Sequence, residues 1–169
     1  MEYKITQERA EFLVEHFFEF SFGDEADSPP NQQAFNTINN PLELHFIADN
    51  YNWDDGVELL DWIINSPLCD KATAMMLFWR AQPDYYTEYA TKEEANYDGD
   101  IWMLLQRIIQ NVEKGFYTHQ QLEYDSRKDP AAEKIDMDNP NSKWKIPDYM
   151  KVALKGTNVN EFYESHYPA

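Results

Sequence analysis

The chain has 169 residues, 43% of them hydrophobic and 15% aromatic, which is too apolar for a disordered acidic tail and enough to bury one core without metal or disulfide staples. Asp and Glu number 31 against 14 Lys and Arg, for a formal net charge of −17, and this excess argues against direct binding to nucleic acid or to anionic lipid. A basic protein partner fits the charge, although solubility alone also explains an acidic surface.

The N-terminal residues lack a basic region followed by an apolar run, and no apolar stretch approaches the roughly 20 residues that span a bilayer. The single cysteine cannot form an internal disulfide, which agrees with a reducing compartment. We therefore expect a cytoplasmic protein with no membrane partner.

The first half of the chain carries clear helix starts. Thr6 can cap a helix whose apolar stripe runs from Ala10 to Phe18, whereas the polar, proline-bearing segment from Gly23 to Asn39 predicts a surface loop. Asn40-Pro41-Leu42-Glu43 combines a side-chain cap, a proline at the first helical position and a glutamate that can reach back to the cap. This pattern predicts a helix that ends near Asp49.

Two further helices are predicted before residue 81. An apolar set from Val57 to Ile64 indicates a helix that stops at Ser66-Pro67. Asp70 can cap the next helix, Lys71 to Arg80, whose apolar residues cover most of its circumference. We expect this helix to lie at the centre of the core.

The second half is less regular. Pro83 to Tyr86 predicts a short polar helix, and Ile101 to Glu113 predicts a longer one that ends at Gly115. Apolar and polar residues alternate weakly from His119 to Tyr124, so the pattern does not decide whether this segment forms an edge strand. A polar segment follows from Asp125 to Ser142. Two short helices are then predicted, at Pro147 to Leu154 and at Asn160 to His166.

The elements together predict a mainly α fold, a compact single domain of about seven to eight helices over residues 1–169 with a minor C-terminal β element. Three successive helices with short connections between residues 41 and 81 are also typical of stacked helical pairs of the HEAT type. No residue pattern repeats along the chain, which favours the compact domain.

Cys69 and Asp70 are the first candidates for chemistry. A reactive cysteine needs a base or positive surroundings to form the thiolate, and an adjacent carboxylate has the opposite effect. We therefore interpret Cys69 as a small buried residue and Asp70 as the helix cap.

Asp54 and Asp55 form a second pair of interest. Glycosidases use two carboxylates that face each other, whereas neighbouring residues at a turn diverge, so we interpret this pair as caps of the helix from Val57, with Gly56 relieving the backbone. Neither the scattered histidines nor Asp98-Gly99-Asp100 has the spacing of a metal site. The sequence predicts no metal and no cofactor.

Arg80 ends a nearly apolar helix and needs a carboxylate partner there, for which Asp54, Asp55 and Asp84 are candidates. A structural ion pair is the favoured interpretation. The alternative is a ligand pocket near Trp53, Asp54, Asp55 and Arg80.

Residues 84–100, which we name the acidic tyrosine segment, interleave tyrosines with six acids against Lys92. Aromatic anchors and carboxylates are typical of a face that binds a basic protein, although tyrosines that line the core with their hydroxyls at the surface also explain the pattern. The predicted partner-binding residues come from this segment and from an acidic loop: Asp24, Glu25, Asp27, Asp84, Tyr85, Tyr86, Glu88, Tyr89, Glu93 and Glu94.

The stretches N-Y-N-W-D-D-G (Asn50 to Gly56), S-P-L-C-D-K-A-T-A-M-M-L-F-W-R (Ser66 to Arg80) and P-D-Y-Y (Pro83 to Tyr86) resemble a family of small bacterial proteins classed as a domain of unknown function. The resemblance covers residues 41–86, with a weaker echo at Lys145-Ile146-Pro147 and Lys155-Gly156. It implies no catalytic residue. Proteins of this kind look like the acidic neighbours of secreted toxins, which implies an immunity role by association.

These observations lead us to expect a non-enzymatic acidic binding protein, an immunity protein whose partner is a basic cognate toxin such as a nuclease. Two other classes stay open: a small-ligand protein or enzyme with the pocket near Trp53, Asp54 and Arg80, and an adaptor in a bacterial complex.

Overall fold

The computed structural model describes residues 1–18, 29–132 and 139–164, and their fold is mainly helical, as predicted. The α-helices are α1 Gln7–Phe17, α2 Gln32–Phe35, α3 Pro41–Asp49, α4 Glu58–Ile64, α5 Lys71–Arg80, α6 Pro83–Tyr86, α7 Lys92–Ala95, α8 Gly99–Glu113 and α9 Val159–Glu164. Single 3₁₀ turns form at Trp53–Asp55, Asn96–Asp98, Ser126–Lys128 and Asp148–Met150. In the described ranges no helix is both long and apolar enough to cross a membrane.

The predicted caps of three helices are confirmed. The Thr6 hydroxyl accepts from the Arg9 amide at 3.2 Å and begins α1. Asn40 and Glu43 form the reciprocal capping box of α3. The Asp70 carboxylate accepts from the Ala72 amide at 2.8 Å and begins α5. Local side-chain chemistry therefore fixes where these helices start.

Helix α5 is the centre of the core, as predicted. Its residues from Ala72 to Trp79 are all buried, and it packs against α3, α4, α6 and α8. In a solenoid each helical pair contacts its neighbours only, whereas here the contacts converge on one helix. The arrangement is that of a compact domain.

The structure differs from the sequence-based expectations in its shortest elements. The predicted loop before Asn39 contains α2, which Asn31 caps by accepting from the Ala34 amide at 2.9 Å. Helix α7 was not expected either, and Thr91 caps it. Conversely, the helix expected from Pro147 to Leu154 is only a 3₁₀ turn.

The segment His119–Tyr124 makes isolated bridges rather than a regular strand. It pairs Asp70 with His119, Leu122 with Thr157 and Tyr124 with Leu154, and no sheet forms within the described residues. The expected minor β element is thus limited to single bridges. They hold the segment between the start of α5 and residues 154–157.

The Asp70 carboxylate joins the parts of the fold that meet at the start of α5. It is 0% exposed, and besides capping the helix it accepts from the Tyr3 hydroxyl at 2.5 Å and from the Gln121 amide at 2.9 Å. A more distant donor, the Leu122 amide, lies at 3.4 Å. A buried carboxylate needs such a full set of donors because none of its lone pairs reaches water.

Asp70→Asn should lower the free energy of unfolding by about 3 kcal/mol, because the amide that replaces one oxygen faces donors and leaves at least one of them unpaired. Urea denaturation measures the change. Asp148→Asn, at an exposed carboxylate, is the matched control and should leave stability nearly unchanged. Equal stability of the two variants would contradict the role of Asp70.

Candidate functional site

Two separate clefts contain the polar side chains that the sequence singled out. The first, which we name the acidic cleft, has a volume of about 720 Å³ and is bounded by the segment from Asp54 to Asp61, by Pro29 and Pro30, and by α7 and α8. Among the residues that the structure describes, its walls carry five carboxylates and one ammonium group: Asp54, Asp55, Glu58, Asp61, Asp100 and Lys92.

The positions of Asp54 and Asp55 follow from the turn that precedes α4. Asn52 caps the 3₁₀ turn, and Gly56 then adopts a φ of 85°, which favours glycine. Helix α4 begins only at Glu58, with Val57 as its N-cap and no cap hydrogen bond from a described side chain. The expectation that Asp54 and Asp55 cap this helix is therefore wrong, and both side chains stay exposed.

The negative charges of the acidic cleft affect Tyr51, which lies at its edge beside Gly56. The Tyr51 hydroxyl donates to the Gly56 carbonyl at 2.6 Å. Burial, together with the negative charges of Asp55 and Glu58, raises the pKa of Tyr51 to about 12. The one ammonium group among the described walls, Lys92, forms an ion pair with Asp100 at 3.5 Å. The other carboxylates of the cleft have no cationic partner in the described part of the chain.

The acidic tyrosine segment is only partly exposed. Tyr85 is exposed and Tyr97 is 95% exposed, whereas Tyr86 is buried. Tyr89 is half-buried and donates its hydroxyl hydrogen bond to the Tyr85 hydroxyl at 3.1 Å. The core-lining interpretation thus holds for Tyr86, while Tyr85 and Tyr97 face solvent.

Two predicted partner-binding acids of this segment are engaged within the protein. Glu88 accepts from the Asn139 amide group at 2.9 Å. Glu94 accepts from Lys143 Nζ at 2.9 Å, and this hydrogen bond, with one from the Ala90 amide, lowers its pKa. Glu93 remains exposed.

The other predicted partner-binding residues are placed less fully. Asp84 lies half-buried in the first turn of α6. Asp24, Glu25 and Asp27 lie outside the described residues.

Arg80 lies in the second cleft, which we name the Arg80 cleft and which has a volume of about 410 Å³. Its guanidinium donates to both carboxylate oxygens of Asp129, at 2.8 and 3.2 Å, and to the Asp49 carboxylate at 2.9 Å. It also donates to the Asp49 carbonyl at 3.2 Å, at the C-terminal end of α3. These partners replace the sequence candidates Asp54, Asp55 and Asp84.

The structure does not unite Arg80 with the Trp53-Asp54-Asp55 turn. Asp54 and Asp55 line the acidic cleft, and Arg80 lines the other. Trp53 is half-buried and packs against the core. The predicted combined pocket is thus divided between two sites.

His45 is a member of the Arg80 cleft that the sequence analysis did not single out. The ring is 4% exposed, and its Nδ1 lies 2.9 Å from the hydroxyl of Thr73, which is fully buried. Burial lowers the pKa of His45, so the ring is neutral at neutral pH. The sequence could have pointed to this residue, because His45 interrupts the apolar run of α3 between Leu44 and Phe46.

Burial by itself raises the pKa of Asp129, but hydrogen bonds from Arg80 and from the Ala131 amide outweigh it and lower the pKa below its ordinary value. Asp129 also accepts from the Tyr124 hydroxyl at 2.9 Å. Its carboxylate is therefore charged and fully hydrogen-bonded in the folded protein. Arg80 and its two carboxylate partners fix the end of α3, the end of α5 and the turn at residues 126–129 to one another.

Cys69 is fully buried, and burial followed by the charge of Asp70 raises its pKa strongly. Its thiol is thus protonated and shielded from solvent, as a structural cysteine should be. The described residues contain no group of three side chains that could hold a metal ion.

Comparison with known proteins finds a family model that matches part of this core. Residues 39–112 match the model of a domain of unknown function (DUF4274), which confirms the resemblance to an uncharacterised domain family and extends it to α8. No curated protein and no solved structure matches the chain. The matched range supplies His45, Asp49, Arg80 and most of the acidic cleft, whereas Asp129 lies beyond it.

Arg80→Lys should lower the free energy of unfolding by about 2 kcal/mol at neutral pH, because lysine cannot make the two-pronged contact with Asp129 while holding Asp49. Asp129 has a lowered pKa in the folded state, so its contribution is present above about pH 4 and is lost as the pH falls through the folded-state value. The difference in the free energy of unfolding between wild type and variant should therefore shrink as the pH falls below about 4.

Urea denaturation of both proteins over a series of pH values tests this expectation. Arg127→Lys is the matched control, since Arg127 forms an exposed ion pair with Asp125, and its replacement should change stability little. A deficit for Arg80→Lys that is absent, or that grows in acid, would contradict the assignment.

Proposed function

We propose that this protein is a non-enzymatic binding protein that uses its acidic cleft to hold a basic protein, and that it serves as an immunity protein for a bacterial toxin. The observation that supports this proposal is the composition of the acidic cleft, where five described carboxylates surround one ammonium group. Asp54, Asp55 and Glu58 are exposed. These carboxylates can meet a cationic surface without first breaking an internal ion pair.

The concave shape of the cleft strengthens its field. Carboxylates along the walls of a cleft concentrate the negative potential and accelerate the approach of a cationic partner, by an amount that falls with salt. A cleft of about 720 Å³ also has room for lysine or arginine side chains that project from a partner surface. A toxin with a basic substrate cleft, such as a nuclease, presents such side chains.

Exposed apolar groups beside the carboxylates can supply contact energy. Met103 lines the acidic cleft and is exposed, and Tyr97 lies one helical turn before Asp100. Aromatic residues and methionine are enriched where interfaces gain most of their affinity. In this arrangement the carboxylates steer the partner, and the apolar side chains hold it.

The role as an adaptor in a bacterial complex uses the same surface and differs in the partner. An adaptor would bind a protein that does not impair growth, whereas an immunity protein must bind one that does. The identity and toxicity of the captured protein therefore distinguish the two roles.

The proposal predicts that neutralising the acidic cleft slows association with the basic partner. The test variant carries Asp54→Asn, Asp55→Asn, Glu58→Gln and Asp61→Asn, and all four positions are exposed, so the fold should be preserved. The control carries Glu2→Gln, Glu8→Gln, Glu15→Gln and Asp148→Asn, four exposed acids elsewhere. The net charge of the two variants is the same.

The wild-type protein is immobilised and used to capture its partner from a lysate of the source organism, and association rates of the purified pair are then measured at low salt. We expect the rate to fall about tenfold or more for the cleft variant and to change little for the control. Co-expression of the wild-type protein with its captured partner should relieve the growth arrest that the partner causes. Equal rates for both variants would refute the role of the cleft, and a harmless partner would refute immunity.

A further inference from the structure

We propose that the Arg80 cleft is a binding site for a small organic anion that carries a phosphate or carboxylate head group. This inference goes beyond the proposed protein partner, because the two clefts share no lining residue. It depends on which polar groups of the Arg80 cleft are already engaged within the protein and which are left for a ligand.

The carboxylates of the Arg80 cleft are engaged. Asp49 and Asp129 accept from Arg80, and Asp129 accepts from the Tyr124 hydroxyl as well. Asp125 accepts two hydrogen bonds from the Arg127 guanidinium, each at 2.9 Å. Glu123 accepts from the Asn158 side chain at 2.8 Å. Arg80 and Arg127 offset part of the charge of Asp49, Asp129 and Asp125, whereas the neutral Asn158 side chain leaves the charge of Glu123 in place.

The cationic groups at the rim of the cleft are not engaged in this way. Lys128 and Lys155 both line it and are exposed, and neither forms an ion pair with a described residue. Both can place positive charge beside a dianionic head group, while the charge of Lys128 also acts on Asp125.

His45 supplies a third group, at the floor of the cleft. The side chain is more than nine-tenths buried, its Nδ1 is engaged by Thr73, and its Nε2 has no partner among the described residues. When the Thr73 hydroxyl donates to Nδ1, the neutral ring carries its proton on Nε2 and can donate it to a ligand oxygen. Within the described part of the chain, Nε2 is not among the buried atoms that lack a partner, so it is reachable from the cleft, where a ligand oxygen can accept its proton.

The remaining wall suits the organic part of a ligand. Met76, Leu154 and Val159 contribute apolar surface. A volume of about 410 Å³ exceeds what a bare phosphate needs and falls in the range of small-molecule sites.

The backbone packing around Gly156 holds this wall in place. A Cβ at Gly156 would lie 2.5 Å from the Gln121 carbonyl oxygen and 2.6 Å from the Leu122 carbonyl carbon. Only glycine lets the chain approach so closely, and this approach places Lys155 at the rim.

The experiment is a titration of the ¹⁵N-labelled full chain with inorganic phosphate at neutral pH and constant ionic strength, followed by amide and histidine ring resonances. We expect saturable shifts at Lys155, Gly156 and the His45 ring, with the ring proton on Nε2 in the bound state. The double variant Lys128→Gln, Lys155→Gln should weaken phosphate binding about tenfold or more, since each ammonium contributes a charge-assisted contact.

The matched control is Lys4→Gln, Lys114→Gln, which removes two exposed lysines outside the cleft and gives the same net charge. It should bind phosphate as the wild type does. Shifts that do not saturate, that chloride reproduces, or that both double variants weaken equally would overturn the proposal. A His45 ring with its proton on Nδ1 in the bound state would overturn it as well, because Nε2 would then face the anion with a lone pair.

Discussion

The buried carboxylate of Asp70 connects the N-terminal segment, through Tyr3, to the first turn of α5 and to the backbone at residues 121 and 122. A charged group without access to water is stable only when donors surround it, so these parts of the chain must be present together. The segment then continues from Leu122 to Asp129, which meets Arg80 at the other end of α5. One helix thus positions both the anchored segment and the Arg80 cleft.

The large negative charge of the chain is divided between two kinds of carboxylate. Asp70, Glu43 and Asp129 are buried or nearly so and are held by internal donors, and their charges contribute to the fold. The carboxylates of the acidic cleft are exposed, and most lack a cationic partner in the described ranges. Exposed carboxylates, in the cleft and elsewhere on the described surface, are the ones that can attract a partner. The functional meaning of the acidic composition therefore depends on where each carboxylate lies, and the proposed partner-binding role rests on the exposed group alone.

Sequence reasoning succeeded where the determinant of structure is local. Thr6, Asn40 and Asp70 cap helices through bonds to residues two or three positions ahead, so their roles are written in short patterns. It failed where the determinant is distant. The partners of Arg80 lie 31 and 49 residues away, and no periodicity specifies which carboxylates folding will bring to it. Asp54 and Asp55 were misassigned because the turn at Gly56 delays the start of α4. His45 was overlooked because its partner, Thr73, lies on another helix.

Native-state hydrogen exchange at the Gln121 amide tests the central role of Asp70 most directly. Gln121 is itself an exposed residue, and its amide is held by the Asp70 carboxylate at 2.9 Å. If this bond joins the segment to the core, the Gln121 amide should exchange as slowly as the Ala72 amide, which the other oxygen of Asp70 holds, because one cooperative opening exposes both. Exchange of the Gln121 amide at the rate of an unstructured loop, with the Ala72 amide still protected, would contradict the account.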